Sequence, residues 1–451
     1  MTTQNIINYV KQHPLGKVKI AVTDIDGILR GKYISTEKFL AATESTIGFC
    51  DVVFGWDMVD SAYDNASFTG WHTGYPDAKV KIVLSSFRKI PWENDVPFFL
   101  GEFVDKHNNP LEICPRQLLQ KIIANATKAG YVAKFSQEFE WFNFVETSLT
   151  FSEKGGKNLV PLTPGMFGYS ILRSTERNDF FANLFILLKK FDIPIEGLHT
   201  ETGPGVYEAA ITFSDILLAA DRAVLFKTAV KEIAGKHGIL ASFMAKYNEN
   251  LPGCSGHIHQ SLWDKKSNNL FHVAADKQGM STLMKSYLAG QLYCLPLILP
   301  MVAPTINSYK RLVEGAWAPT TVTWGLDNRT VAIRVLAEGK KSCRLETRVV
   351  GSDTNPFLAM SACLAAGLYG IQHKLKLQQP ATVGNGYKDD SNGKFPKSLE
   401  EATQIMKTSS IAKELLGDTF VQHFTQTREW EVKQYAKAVT DWELKRYFEI
   451  I

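Results

Sequence analysis

Four short segments, spread over about half of the chain, carry residues whose types and spacing could do chemistry. They read Glu138-Phe139-Glu140, Glu201 through Glu208, His257-Ile258-His259 and Arg344-Leu345-Glu346-Thr347-Arg348. In an extended strand alternate side chains share a face, so Glu138 and Glu140 are expected to point the same way, as are His257, His259 and Ser261. A sheet that aims carboxylates and imidazoles into one cleft suits hard divalent cations, Mg2+ or Mn2+, and arginines beside them suit anionic substrates. This is the equipment of an ATP-using enzyme without a P-loop.

A lone acidic residue on a strand is ordinarily a surface group. Here Phe135, Phe139, Trp141, Phe142 and Phe144 surround Glu138 and Glu140. Two carboxylates in so apolar a setting need cations, because buried like charges otherwise protonate. His257 follows Pro252-Gly253-Cys254-Ser255-Gly256, a loop whose glycines permit close backbone approach to a ligand.

The elements that must position these groups are legible in the hydrophobic pattern. Lys17 to Thr23 alternates around Val18, Ile20 and Val22, and the turn Asp24-Ile25-Asp26-Gly27 leads to a second strand through Ile28 to Tyr33. Further strands are expected at Lys79 to Leu84 and Phe98 to Val104, giving a small β-rich domain over residues 14–108. Residues 109–451 then form a second, larger domain. Pro115 opens a helix that Gly130 stops. Strands are expected at 132–135, 138–145, 257–263, 320–324 and 330–335, and helices over 215–236 and 356–371. Gly384 to Lys397 is rich in Gly, Asn, Asp and Lys and reads as a solvated loop.

Composition excludes several classes. Lys and Arg total 50 against 46 Asp and Glu, for a net charge of +4, and no dense basic run is present, so neither nucleic acid nor an anionic membrane is an expected partner. No apolar stretch approaches the length of a membrane span, and the start, Met1 to Leu15, lacks a signal peptide's apolar core. The six cysteines are scattered with no CxxC, which reads as reduced thiols in a cytoplasmic protein.

Six motifs in series resemble the glutamine synthetase superfamily in its bacterial-type subunit form. They are Ser136 to Phe142; His199-Thr200-Glu201 with Gly203-Pro204-Gly205 leading to Glu208; Pro252 to His259; Asn307 to Leu312; Asp327-Asn328-Arg329; and Arg344 to Arg348 with Asn355-Pro356 after it. The resemblance runs from about residue 15 to the C-terminus. It implies an α+β fold, with an N-terminal β-grasp domain followed by a catalytic domain of curved antiparallel sheet flanked by helices. It also implies active sites between the subunits of a homo-oligomeric ring or double ring.

By motif, Glu140, Glu201 and Glu208 match the ligands of the metal facing the amino-acid substrate. Glu138, His257 and Glu346 match those of the metal at the nucleotide phosphates, so two or three Mg2+ (or Mn2+) are implied together with ATP. Arg311, Arg348 and Gly253 match residues at the glutamate. Arg329, Arg334, Lys341, Arg344 and His259 match contacts to the phosphates and adjoining nucleotide, and Phe213 and Ser261 match adenine and ribose contacts. The implied reaction proceeds through a γ-glutamyl phosphate that an amine or ammonium then displaces.

One segment departs from the family. Where glutamine synthetases carry a glutamate on a flap over the site, this chain reads Val313 to Pro319 with Trp317 in the glutamate's place. An indole cannot take a proton from ammonium. Asp57, in Gly55-Trp56-Asp57, matches the acid that a neighbouring subunit lends to the ammonium pocket, and Asp60 adds a second acid nearby. An aromatic wall facing acids suits an organic amine such as a polyamine, through apolar contact and cation–π attraction. Tyr387 lies in roughly the loop of the family's regulatory tyrosine, but its neighbours differ and no regulation is assigned to it.

Overall fold

Val18, Ile20 and Val22 are fully buried along β1 (Lys17–Thr23), and the turn at 24–27 returns the chain antiparallel along β2 (Leu29–Ser35), as the alternation predicts. The computed structural model describes residues 1–451. With β3 (Ile47–Cys50), β4 (Asp77–Ile82), β5 (Arg88–Ile90) and β6 (Val96–Val104), the hairpin builds a six-stranded sheet in the order β2-β1-β6-β4-β3, β5 lying beside β6. Only the β1–β6 pair is parallel, a grasp-like mixed sheet.

Downstream strands form a second sheet: β7 (Val132–Phe144), β8 (Ile195–Thr200), β9 (Val206–Ile211), β10 (Ser214–Asp215), β11 (Leu240–Ser242), β12 (Ile258–Trp263), β13 (Trp324–Leu326), β14 (Ile333–Leu336) and β15 (Arg344–Thr347). Its order is β13-β14-β15-β12-β7-β9-β8, with β10 and β11 also on β7. The helix Ile216–Lys236 packs on β7, covering Phe139 and Trp141 with Phe226. The helices Thr282–Cys294 and Pro356–Gln372 meet at glycines; a Cβ on Gly290 would lie 2.3 Å from the Ala366 carbonyl oxygen, so nothing larger permits that approach. No helix is long and apolar enough to cross a membrane.

Two expectations about strands need correction. The break at Ser136-Gln137 does not exist, and β7 runs unbroken for 13 residues. Gln137 is polar but buried; its amide nitrogen donates to the Gly256 carbonyl at 3.0 Å while its backbone pairs with Ile258, so the strand continues through it although the amide oxygen is left without a partner. The strand expected at 320–324 begins only at Trp324. Thr321 and Thr323 are buried, and the Thr321 hydroxyl donates to the Gly386 carbonyl at 2.9 Å instead of facing an alternating surface. That bond also ties down part of the loop 384–397, which includes a short 3₁₀ turn at Gly386–Lys388.

Candidate functional site

Strand pairing places the chemistry. On β7 and β9, Glu140 stands opposite Glu208; on β12 and β15, His259 stands opposite Glu346; on β14 and β15, Arg334 stands opposite Glu346. Directly opposed side chains on one face are neighbours, and because β12 also pairs with β7 the two groups, Glu140 with Glu208 and His259 with Glu346 and Arg334, share one cluster. Above the sheet opens a cavity of about 1200 Å³. It is lined by Glu138, Glu140, Glu201, Glu208, His257, His259, Ser261 and Glu346, as well as by Arg329, Arg334, Lys341, Arg344, Arg348, Phe213 and Trp317. Fifteen of the eighteen residues singled out from the sequence therefore share one cleft.

Two tight sets stand out within it. Ligand atoms of Glu138, His259 and Glu346 lie within 4.8 Å of one another, as do those of His199, Glu201 and Glu208. His257 adjoins the first set, its Nδ1 3.1 Å from Glu138 Oε1 and 3.3 Å from Glu346 Oε1. Glu140 adjoins the second and accepts a hydrogen bond from the Ser255 amide at 2.8 Å. His199 received no role from the sequence, yet its Nε2 is 3.2 Å from Glu201 and 3.6 Å from Glu208. Its ring stacks on Tyr169 at 4.4 Å. The available signal was its position two residues before Glu201 at the end of a strand, on the same face.

The carboxylates divide electrostatically. Burial and the surrounding Glu138, Glu140, Glu201 and Glu346 push Glu208 up to about 10, and burial pushes Glu140 up to about 7. Glu346 is buried too, but Arg348, His257 and His259 outweigh that cost and bring it down to about 2. Glu138 is likewise held well below its ordinary value, burial being overcome by the two histidines. Carboxylates crowded against their own repulsion, beside a buried His257 Nε2 without a hydrogen-bond partner, fit divalent cations.

Cationic groups stand directly against the first set. Arg334 reaches Glu346 at 2.8 Å and Asp327 at 2.5 Å, Arg348 pairs with Glu346, and Arg344 Nε donates to His259 Nδ1 at 3.1 Å. Trp317 is 56% exposed at the cleft with φ +57°, a conformation a bulky side chain adopts only where its surroundings impose it. Glu314, the only acid of the flap, is turned away and pairs with Lys388 at 2.5 Å.

Three expected residues lie outside the cavity wall. Arg311 is 2% exposed and donates to Ser255 Oγ (2.8 Å) and to the carbonyls of Val349 (3.1 Å) and Arg348 (3.2 Å). It braces the loop and strand end that carry the cleft residues. Gly253 backs onto it, since a Cβ there would meet Ala245 O at 2.5 Å and Arg311 Cγ at 2.9 Å. Asp57 lies on the N-terminal unit, where the Trp430 indole donates to its Oδ2 at 3.0 Å.

Comparisons with known proteins agree with this geometry. The family model for the glutamine synthetase catalytic domain matches residues 112–447. The chain is 53% identical over 450 residues to type-1 glutamine synthetase 2 of Dictyostelium discoideum, covering 99% of this chain and 86% of that protein. It is 36% identical over 448 residues to a glutamate–isopropylamine ligase of a Pseudomonas species, covering 98% and 97%. A solved GmaS/ADP complex superposes with a TM-score of 0.86 at 25% identity, over 98% of this chain and 99% of that one. With its carboxylate–histidine cleft built on the same fold, the chain belongs to the glutamine synthetase family and is an ATP-dependent carbon–nitrogen ligase that uses a divalent metal.

Proposed function

We propose that this enzyme joins the γ-carboxylate of glutamate to an organic primary amine in preference to ammonium. The observation that carries the reading is the flap: Trp317 presents its indole to the cleft, and Glu314 is engaged by Lys388. No flap carboxylate is left to take a proton from ammonium, whereas an indole favours an alkyl chain and its ammonium head. The similarity to a glutamate–isopropylamine ligase supports the same reading.

In the first step a glutamate γ-carboxylate oxygen attacks the terminal phosphorus of ATP; the bridging P–O bond breaks and ADP leaves with its electron pair. Arg334, Arg344, Arg329 and Lys341 hold the phosphates, and Arg348 neutralises charge on the transferring phosphoryl group. In the second, the neutral amine attacks the acyl carbon, the C–O bond to phosphate breaks, and the amine proton passes to a carboxylate, which we assign to Asp57 of an adjacent copy. Divalent cations held by Glu138, His257, His259 and Glu346, and by Glu140, Glu201 and Glu208, would supply positive charge to both anionic substrates. Arg311 acts from behind, fixing Ser255 and the Arg348 main chain. The reading takes residues 14–108 and 109–451 as separate domains of a ring-forming subunit.

A second reading is favoured by the 53% identity to a glutamine synthetase: ammonium as acceptor in a rebuilt pocket. Phosphate release with ATP, glutamate and Mg2+ separates the two, measured against ammonium and primary amines of increasing chain length. We expect kcat/KM for the best amine to exceed that for ammonium by roughly tenfold or more, the scale of one well-buried alkyl group. Efficient turnover of ammonium with no response to larger amines would leave the second reading standing.

A further inference from the structure

The helix Asp418–Tyr435 grips the loop that carries Asp57. Asp57 Oδ1 accepts from the amides of Val59 (3.0 Å) and Ser61 (2.9 Å), while Oδ2 accepts from the Trp430 indole at 3.0 Å. Trp430 is 8% exposed and stands edge-on to Tyr63 at 5.8 Å. On the same helix Lys433 pairs with Asp64, the Gln426 carbonyl accepts from Asn65 at 2.8 Å, and Arg428 reaches Asp26 at 2.5 Å. From the other side Arg30 binds Asp60 Oδ1 at 2.7 Å and the Asp57 carbonyl at 3.3 Å, with Asp60 held at φ +64°.

So many restraints on a surface loop need a reason. The loop presents Met58 and Val59 to solvent, Val59 79% exposed, directly beside the carboxylate. Asp57 is absent from the wall of this chain's own cleft. An exposed apolar tip next to a fixed carboxylate suits insertion at a second copy of this chain, whose cleft supplies everything except an acceptor-side base.

Resting on the proposed function, we infer that Trp430 is a positioning residue for the acceptor: its indole N–H aims the Asp57 carboxylate that one subunit offers to its neighbour's cleft. Trp430 touches no substrate and acts through Asp57.

Trp430→Phe keeps the ring and deletes the donor. A hydrogen bond to a carboxylate is worth roughly tenfold, so acceptor kcat/KM should fall by about that factor while KM for glutamate and ATP stays within about twofold. In an Asp57→Asn background the same change should cost almost nothing further, because the two act as one unit. Hydrogen exchange should lose protection at 57–64 in Trp430→Phe whichever acceptor the enzyme prefers, a readout independent of the reaction. Hybrid oligomers mixing Trp430→Phe with Glu346→Gln subunits should regain the wild-type acceptor KM, since the second partner lends an intact loop to the first partner's intact cleft. Unchanged protection, an unchanged acceptor term, or hybrids as defective as Trp430→Phe alone would each overturn the inference. Wild-type preference for ammonium would instead revise the acceptor and leave this test standing.

Discussion

Lys388 Nζ lies 2.5 Å from Glu314 Oε1, fastening the flap 313–319 to the loop that follows Gly384. Both side chains are more than half exposed, 70% and 54%, so the pair contributes little to global stability. Its effect is local: it turns the flap's one acid outward. Lys388→Met should leave the melting temperature unchanged and free Glu314. A rise of a few-fold in ammonium use relative to amines is expected, read from phosphate release with paired acceptors. No change in that ratio would mean that Glu314 cannot reach the cleft even when released.

Trp317 is the complementary test. Trp317→Ala should raise KM for a carbon-chain amine by about tenfold, since ~60 Å² of lost apolar contact at about 25 cal/mol per Å² is ~1.5 kcal/mol. The effect on ammonium should be small. Trp317→Glu should shift activity towards ammonium. Equal losses for both acceptors would show that the indole organises the flap and does not select the amine.

Glu346 is fully buried and accepts from both Arg334 and Arg348. Removing its charge should therefore affect chemistry and folding together. Glu346→Gln keeps the volume and should lower acyl-phosphate formation by about 10²-fold or more. Because two guanidiniums lose their common partner, a drop in thermal stability is also expected. Stabilisation by Mn2+ in a thermal melt, present in the wild type, should be weakened. Wild-type turnover by this variant would remove Glu346 from the site.

His423 gives a pH signature remote from the cleft. Burial, with Arg428 nearby, lowers it from 6.5 to about 4, and it stands edge-on to Phe54 and Phe68. Neither ring nitrogen has a hydrogen-bond partner. Below pH 6.5 the unfolded chain takes up a proton that the folded one refuses, so its contribution is full above 6.5 and drains away as pH falls towards 4. The loss over that window is about 3 kcal/mol. His423→Phe should flatten the fall in melting temperature between pH 7 and 5. A parallel decline in both proteins would assign acid sensitivity elsewhere.

Much of the cleft was legible because period-two alternation is a backbone property: Glu138 with Glu140, and His257 with His259, had to share a face. The cross-strand partners were not legible from spacing. That Glu140 faces Glu208 depends on register between β7 and β9, which the family resemblance carried and alternation alone could not. Arg311 illustrates the limit. Its acceptors are Ser255, Val349 and the Arg348 carbonyl, 56, 38 and 37 positions away, and only the assembled fold decides that an arginine beside a substrate cleft turns inward. Gln137 misled in the opposite sense, since a buried amide with a partner looks in sequence like a strand break.

The anchoring of the Asp57 loop by the helix 418–435 also has a temporal side. Some 350 residues of synthesis separate the loop from its clamp, and at about 5–20 residues per second they take roughly 20–70 s. Through that interval a nascent chain can complete β1 to β6 and still hold Asp57 without its indole partner. On the proposed reading, a chain that lacked this helix would carry every residue of the cleft wall and yet offer a neighbour an unaimed acid. On that reading, the aim of the acid is thus conferred late, by a segment that leaves the ribosome after every residue of the cleft wall.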